Sequence, residues 1–199
     1  MNITDKEYIK YMKTINKINN NKDYGLTKDI SEKEFIKSVS LLNPQSYGFR
    51  IEKRINYELK KGERLSASEN RGDILLYNNY IEVKSSIITE INNSLNLVQI
   101  RLYQDLDYYL CVAYDLRDIE NYTSYIFLLT HDEMVREMGL VSASNAHGTK
   151  ESLNENKNIE LRYSLSINNE DKVFKRWKKE YYYKNMNKVR EMIKGESNV

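Results

Sequence analysis

Cysteine and proline are nearly absent from this chain, which has one of each, Cys111 and Pro44, among 199 residues. A single cysteine excludes an intrachain disulfide and any cysteine-cluster zinc site. His131 and His147 are the only histidines and lie far apart, which argues against a histidine-based metal site. No apolar run is long enough to cross a bilayer. The first residues, Met1-Asn2-Ile3-Thr4-Asp5-Lys6-Glu7, lack the apolar stretch of a secretion signal, so the expected location is the cytoplasm. A Gly-rich phosphate loop ending in Lys-Ser or Lys-Thr is also missing, and ATP is not an expected partner.

What is present fits one domain large enough to bury a core. Hydrophobic residues make up 40% and charged residues 30%, as in ordinary globular chains. The net charge is only +2, but it is unevenly spread. Between Asp171 and Lys194 nine lysines or arginines stand against Asp171, Glu180 and Glu191. That run suits a phosphate backbone, and a solvated helix face explains it nearly as well. The wealth of Asn, Lys, Ile and Tyr matches the codon bias of an AT-rich genome, so the 17 tyrosines carry little functional weight.

The most informative stretch runs from Arg71 to Ser86. Two apolar runs flank Asn78-Asn79, a pair that tolerates positive φ, which predicts a hairpin with a two-residue turn. In that register Tyr77 faces Tyr80, Leu75 faces Glu82 and Asp73 faces Lys84. Side chains alternate along a strand, so Asp73, Glu82 and Lys84 share one face while Ile74, Leu76, Ile81 and Val83 take the other. Mg²⁺ is commonly held by one or two carboxylates, with water and phosphate oxygens completing its shell. Asp73 and Glu82 are the candidate metal ligands, with the Val83 carbonyl as a third oxygen. Lys84 is placed to orient and activate an attacking water. A solvated cross-strand salt bridge, worth less than about 1 kcal/mol, is the bland alternative. The strand, turn, strand context with charged ends set among apolar residues favours the metal.

Gly72-Asp73 followed by Glu82-Val83-Lys84 on the next strand resembles the signature of the PD-(D/E)XK nuclease superfamily, and within it the compact type II restriction endonucleases. Gly72 stands where the motif's proline would be, and the resemblance covers roughly residues 47–116. It implies a single α/β (α+β) nuclease domain with a central mixed β-sheet flanked by helices. Residues 1–46 would be a helical N-terminal part, 47–116 the catalytic core, and 140–199 a part for DNA recognition and dimerisation. It also implies Mg²⁺, with Mn²⁺ able to substitute, and a sequence-specific cut in double-stranded DNA that leaves 5′-phosphates. A prokaryotic homodimer is expected, because one such site cuts one strand and a two-fold target is most simply read by a two-fold protein. The helix before the motif carries a carboxylate near the metal in this family, and Glu52 is the match. Gln99 and Tyr103 have the Gln-x-x-x-Tyr spacing of a helix in exonuclease branches of the superfamily, which makes Gln99 a catalytic candidate. An exonuclease or repair nuclease, and a catalytically silent DNA-binding protein, are the competing readings.

Around this centre, Thr4 to Asn20 and Ser31 to Leu42 open with capping boxes and predict helices, the second stopped by Pro44. Ile51, Ile55 and Leu59 recur every four residues and predict a helix over 47–61. Leu95, Val98 and Leu102 follow a helical period. Residues 108–116 and 122–129 predict central strands, and a capping box at Thr130 to Glu133 opens a short helix ending at Gly139. Ile159 to Ile167 alternates strictly, as a half-buried strand does. Asp171 to Lys194 predicts amphipathic helix broken near Asn185. Candidate DNA contacts are Arg101, then Ser144, Asn145, His147, Thr149 and Lys150 in a small polar loop, and Lys175, Arg176 and Lys178 in the basic run. An ordinary surface loop explains the polar segment somewhat better, the more so with the polar insert Glu151 to Asn158 after it.

Overall fold

The computed structural model describes residues 4–20, 30–60, 62–66, 71–140 and 160–196. Three helices come first: α1 (Asp5–Asn20), α2 (Glu32–Val39) and α3 (Pro44–Leu59). The capping box at Thr4 forms, with the Thr4 N–H donating to Glu7 Oε2 (3.0 Å) and the Glu7 N–H donating to Thr4 Oγ1 (3.3 Å). At α2 only half of the box closes. Ser31 accepts from the Glu34 N–H, while Glu34 accepts from the Thr14 hydroxyl at 2.9 Å and so ties α2 to α1. Pro44 starts a helix rather than ending one: α2 stops at Val39, and Pro44 occupies the first turn of α3 behind the Asn43 cap. Its missing N–H would have had no helical partner there.

Strands β1 (Glu63–Arg64), β2 (Ile74–Leu76), β3 (Asn79–Ile88), β5 (Tyr108–Asp115) and β6 (Thr123–Thr130) form one mixed sheet in the order β1-β2-β3-β5-β6. The β3 and β5 strands run parallel and the other neighbours antiparallel. All eight residues of β5 are buried, as the unbroken apolar run predicts for a central strand. Strands β4 (Ser94–Ile100) and β7 (Leu161–Ser166) pair as a separate antiparallel ribbon. Helix α4 (His131–Leu140) follows β6, and α5 (Lys172–Glu180) and α6 (Met186–Glu196) end the chain.

The sheet separates two cores. On one face Ile51, Ile55 and Leu59 of α3 pack with Ile74, Leu76, Ile81 and Val83 and with Val189 and Ile193 of α6. On the other, Tyr109, Cys111 and Phe127 pack under Leu95, Leu97, Tyr163 and Leu165 of the ribbon and under Trp177 of α5. Each fully buried Ile or Leu contributes roughly 1.5–3 kcal/mol, so both layers are held firmly against the sheet. The described residues therefore form an α+β fold with a mixed five-stranded sheet and six helices, helices covering one face and a ribbon with helices the other. Among the described residues no helix is long and apolar enough to cross a membrane.

Two further sequence expectations need correction. The hairpin turn is Tyr77-Asn78, with φ of 51° and 65°, rather than Asn78-Asn79, and Leu76 pairs with Asn79 and Leu75 with Tyr80. The register slips by two residues, and an even slip leaves every side chain on its expected face. The segment around Leu95, Val98 and Leu102 is strand β4, not helix. Leu95 and Leu97 do alternate, but a bulge between Leu97 and Ile100, with Gln99 at φ 55°, shifts the next buried residue by one. The helical spacing of Leu95, Val98 and Leu102 misleads because Val98 is an exposed apolar residue of the strand, 40% exposed, and not part of its buried stripe.

Candidate active site

Gly72 sets the geometry at the open end of the hairpin. Its φ is +103°, and a Cβ there would lie 2.8 Å from the Ile81 carbonyl oxygen, so glycine alone fits without strain. The close approach lets the Asp73 N–H donate to the Ile81 carbonyl (2.8 Å) while Asp73 Oδ2 accepts from the Val83 N–H (2.8 Å). The Asp73 carboxylate is thus fixed beside Glu82. On β3, Glu82 and Lys84 are two residues apart on one face, and Lys84 Nζ donates to Glu82 Oε1 at 2.5 Å. Both side chains are largely buried, 8% and 12% exposed, which distinguishes the pair from a solvated surface bridge.

Asp73, Glu82, Val83 and Lys84 line an open cleft of about 610 Å³. One wall is α3, with Gln45, Phe49 and Glu52; the other is the ribbon, with Asn96, Gln99, Arg101 and Arg162. Glu52 is held by Arg64 of β1, whose Nε donates to Glu52 Oε1 at 2.7 Å. Arg101 donates from Nε (2.9 Å) and from a terminal guanidinium nitrogen (2.6 Å) to Glu160 Oε1, and Gln99 also hydrogen-bonds Glu160. Tyr109 and Cys111 of β5 are in register with Glu82 and Lys84 and lie in the core beneath the ribbon. Burial raises the Tyr109 phenol and pushes the Cys111 thiol up to about 12, so both are neutral.

The electrostatics follow from three carboxylates meeting at a partly desolvated point. Burial, then the charges of Glu82 and Glu52, push the Asp73 carboxyl up to about 7, against the smaller opposing effects of the Val83 N–H and Lys84. Burial also raises Glu52, and Arg64 pulls it back only in part. Negative charge accumulates here beyond what Lys84 and Arg64 neutralise. Among the described residues no three His, Cys, Asp or Glu side chains are disposed to hold a metal by themselves. The donors on hand are instead the Asp73 and Glu82 carboxylates, with the Val83 backbone beside them on the cleft wall. That fits a hard dication which keeps water and takes substrate oxygens.

The cleft gathers Glu52, Asp73, Glu82, Val83, Lys84, Gln99 and Arg101, all named from the sequence. It does not gather the basic run. Arg176 pairs with the buried Glu137, Lys175 lies 3.3 Å from Glu170, and Lys178 reaches Asn169 and the Phe174 ring; none of the three lines the cleft. The loop candidates Ser144, Asn145, His147, Thr149 and Lys150 lie outside the described residues. Sequence reasoning missed Arg64, Glu160, Arg162 and Asn96. Strict alternation over 159–167 already turned Glu160 and Arg162 toward solvent, whereas reading 95–102 as helix hid Asn96. In comparisons with known proteins, no family model and no curated sequence matches this chain.

Proposed function

We propose that the chain is a Mg²⁺-dependent endonuclease for double-stranded DNA, of the restriction type, on a restriction endonuclease-like fold. The observation that carries the reading is the convergence of Asp73, Glu82 and Lys84 on one cleft, behind a backbone that only Gly72 permits. Asp73, Glu82 and the Val83 carbonyl would hold the metal. When bound, Mg²⁺ or Mn²⁺ supplies Lewis-acid stabilisation of the charge that builds on the phosphoryl oxygens. Lys84, anchored to Glu82, orients the attacking water against the phosphorus. The water oxygen forms the new bond, the bond to the 3′ oxygen breaks, and the products carry a 5′-phosphate and a 3′-hydroxyl. Arg101 and Gln99, steadied by Glu160, face the same phosphate. Glu52 adds negative charge that favours the dication over the empty site.

A homodimer in a prokaryotic cytoplasm is the natural setting, since each site cuts one strand. The exonuclease alternative loses its specific support, because Gln99 and Tyr103 sit on a bulged strand and its exit and not on a helix. A silent DNA-binding protein would have no use for the surplus charge at Asp73. Incubation with supercoiled plasmid and a phage genome in Mg²⁺ tests the proposal. Discrete fragments with 5′-phosphate ends are expected, and none from Lys84→Ala. Uncut DNA in every digest, or equal cutting by the variant, would overturn it.

A further inference from the structure

We propose that the outward face of the β4/β7 ribbon reads base edges in the major groove of the DNA held in the cleft. The inference rests on the nuclease reading above and adds where sequence discrimination resides.

The ribbon is two-faced. Leu95 pairs with Leu165 and Leu97 with Tyr163, and all four are buried against the sheet. On the other face Ser94 pairs with Ser166 and Asn96 with Ser164, beside the exposed Arg162. Arg162 donates to Asn96 Oδ1 at 3.3 Å, and the Asn96 amide nitrogen donates to Asn92 Oδ1 at 2.7 Å, so these side chains stand in a fixed row. The Asn96 backbone N–H donates to Ser86 Oγ, in the same β3 row as Glu82 and Lys84. The polar face is therefore keyed directly to the proposed metal site, and Asn92, Asn96 and Arg162 line the same cleft.

The chemistry of this face suits bases better than phosphates. Phosphate contacts, whether from cations or from Ser, Thr, Asn and Gln, carry no sequence information, and the affinity they supply comes mainly from clustered Lys and Arg. Here amides and hydroxyls predominate, with a single guanidinium among the three outward residues of β7. An asparagine amide matches the adenine N6/N7 edge, an arginine fork matches guanine O6/N7, and serine accepts either role. Two strands about 4.8 Å apart, with short side chains, fit a major groove about 12 Å wide. The buried reverse face supplies the rigidity that discrimination needs, because Asn96 and Arg162 cannot retreat with a mobile loop.

The test is an affinity selection from short randomised DNA duplexes with the full chain in Ca²⁺, followed by sequencing of the bound pool. The parent should enrich a defined sequence. Arg162→Lys keeps the charge but loses the fork, and should lose preference at a guanine by about tenfold or more. Asn96→Ala should do the same at an adenine. Both should melt like the parent and bind random duplex within about twofold of it, since the phosphate contacts are untouched. The proposal is overturned if both variants enrich the parent's sequence, or if the parent binds duplex DNA without preference. In that case cleavage by the parent would leave the nuclease reading standing. Tighter binding of duplex RNA, whose deep major groove excludes a ribbon, would also overturn it. Absence of DNA binding together with absence of cleavage would remove both readings at once.

Discussion

Asp73 and Glu137 are both carboxylates withdrawn from water, and their surroundings differ in kind. Glu137, 1% exposed, is answered wholly by donors from the chain: the Arg176 guanidinium, the Trp177 indole N–H (3.0 Å), the Tyr181 hydroxyl (3.0 Å) and the Tyr163 hydroxyl (3.4 Å). Those donors come from α5, the turn after it, and β7, so Glu137 of α4 fastens the helices over the ribbon. Asp73 has one N–H and a share of Lys84, set against two neighbouring carboxylates. A saturated buried charge is a structural joint. An under-neutralised one is what the proposed metal site requires, and this contrast is the basis on which the two carboxylates are given different roles.

The contrast can be broken most forcefully at Lys84. Lys84→Ala should lower Mg²⁺-dependent cleavage of plasmid DNA by about 10²–10⁴-fold and leave a cooperative melting transition. Glu137→Ala should do the reverse. Leaving the Arg176 guanidinium without its buried partner should cost roughly 3–5 kcal/mol of folding stability, read from urea unfolding, while any protein that remains folded still cuts.

Asp73→Asn sharpens the comparison. The folded-state Asp73 pKa of about 7 stands above its ordinary 3.8. Between those values the folded form keeps a proton that the unfolded chain has released. Through this group the metal-free protein therefore loses stability as pH rises toward 7, and the whole cost persists above it. Asp73→Asn should raise the melting temperature at pH 8 and flatten its pH dependence, an effect on the order of a few kcal/mol. Added Mg²⁺ should stabilise the parent at pH 8 far more than at pH 5. A smaller loss, about 1–3 kcal/mol of backbone strain, is expected for Gly72→Ala, accompanied by weaker metal binding as Asp73 is displaced. At the bottom of the scale, Lys175→Ala on the exposed flank of α5 should change stability by less than about 0.5 kcal/mol and cleavage hardly at all.

How much of this was legible in the sequence depended on whether the signal was local. The Asp73, Glu82 and Lys84 constellation could be read because it lies in one hairpin, and side-chain parity survived the two-residue error in register. Helix α3 and strand β7 follow from periodicity, and strands β5 and β6 from apolar runs rich in β-branched and aromatic residues, each reinforced by tertiary contacts. Strand β4 was not legible, because its bulge at Gln99 destroyed the alternation that marks a strand. The partnership of Arg176 with Glu137 spans 39 residues and leaves no local trace, so a charge with a buried partner looked like one of a basic patch. Arg64 and Glu52 are likewise joined only by the fold, with the two-residue strand β1 too short to announce itself.

On the proposed function the Asp73–Glu82 pair takes a divalent cation. Calorimetric titration of the purified protein with Mg²⁺ between pH 6 and pH 8 tests this most directly. Binding should strengthen as pH rises through about 7, with proton release to the buffer near that midpoint as the metal displaces the Asp73 proton, and both signals should vanish in Asp73→Asn. Mg²⁺ heats that are absent at pH 8, or that persist unchanged in the variant, would contradict it.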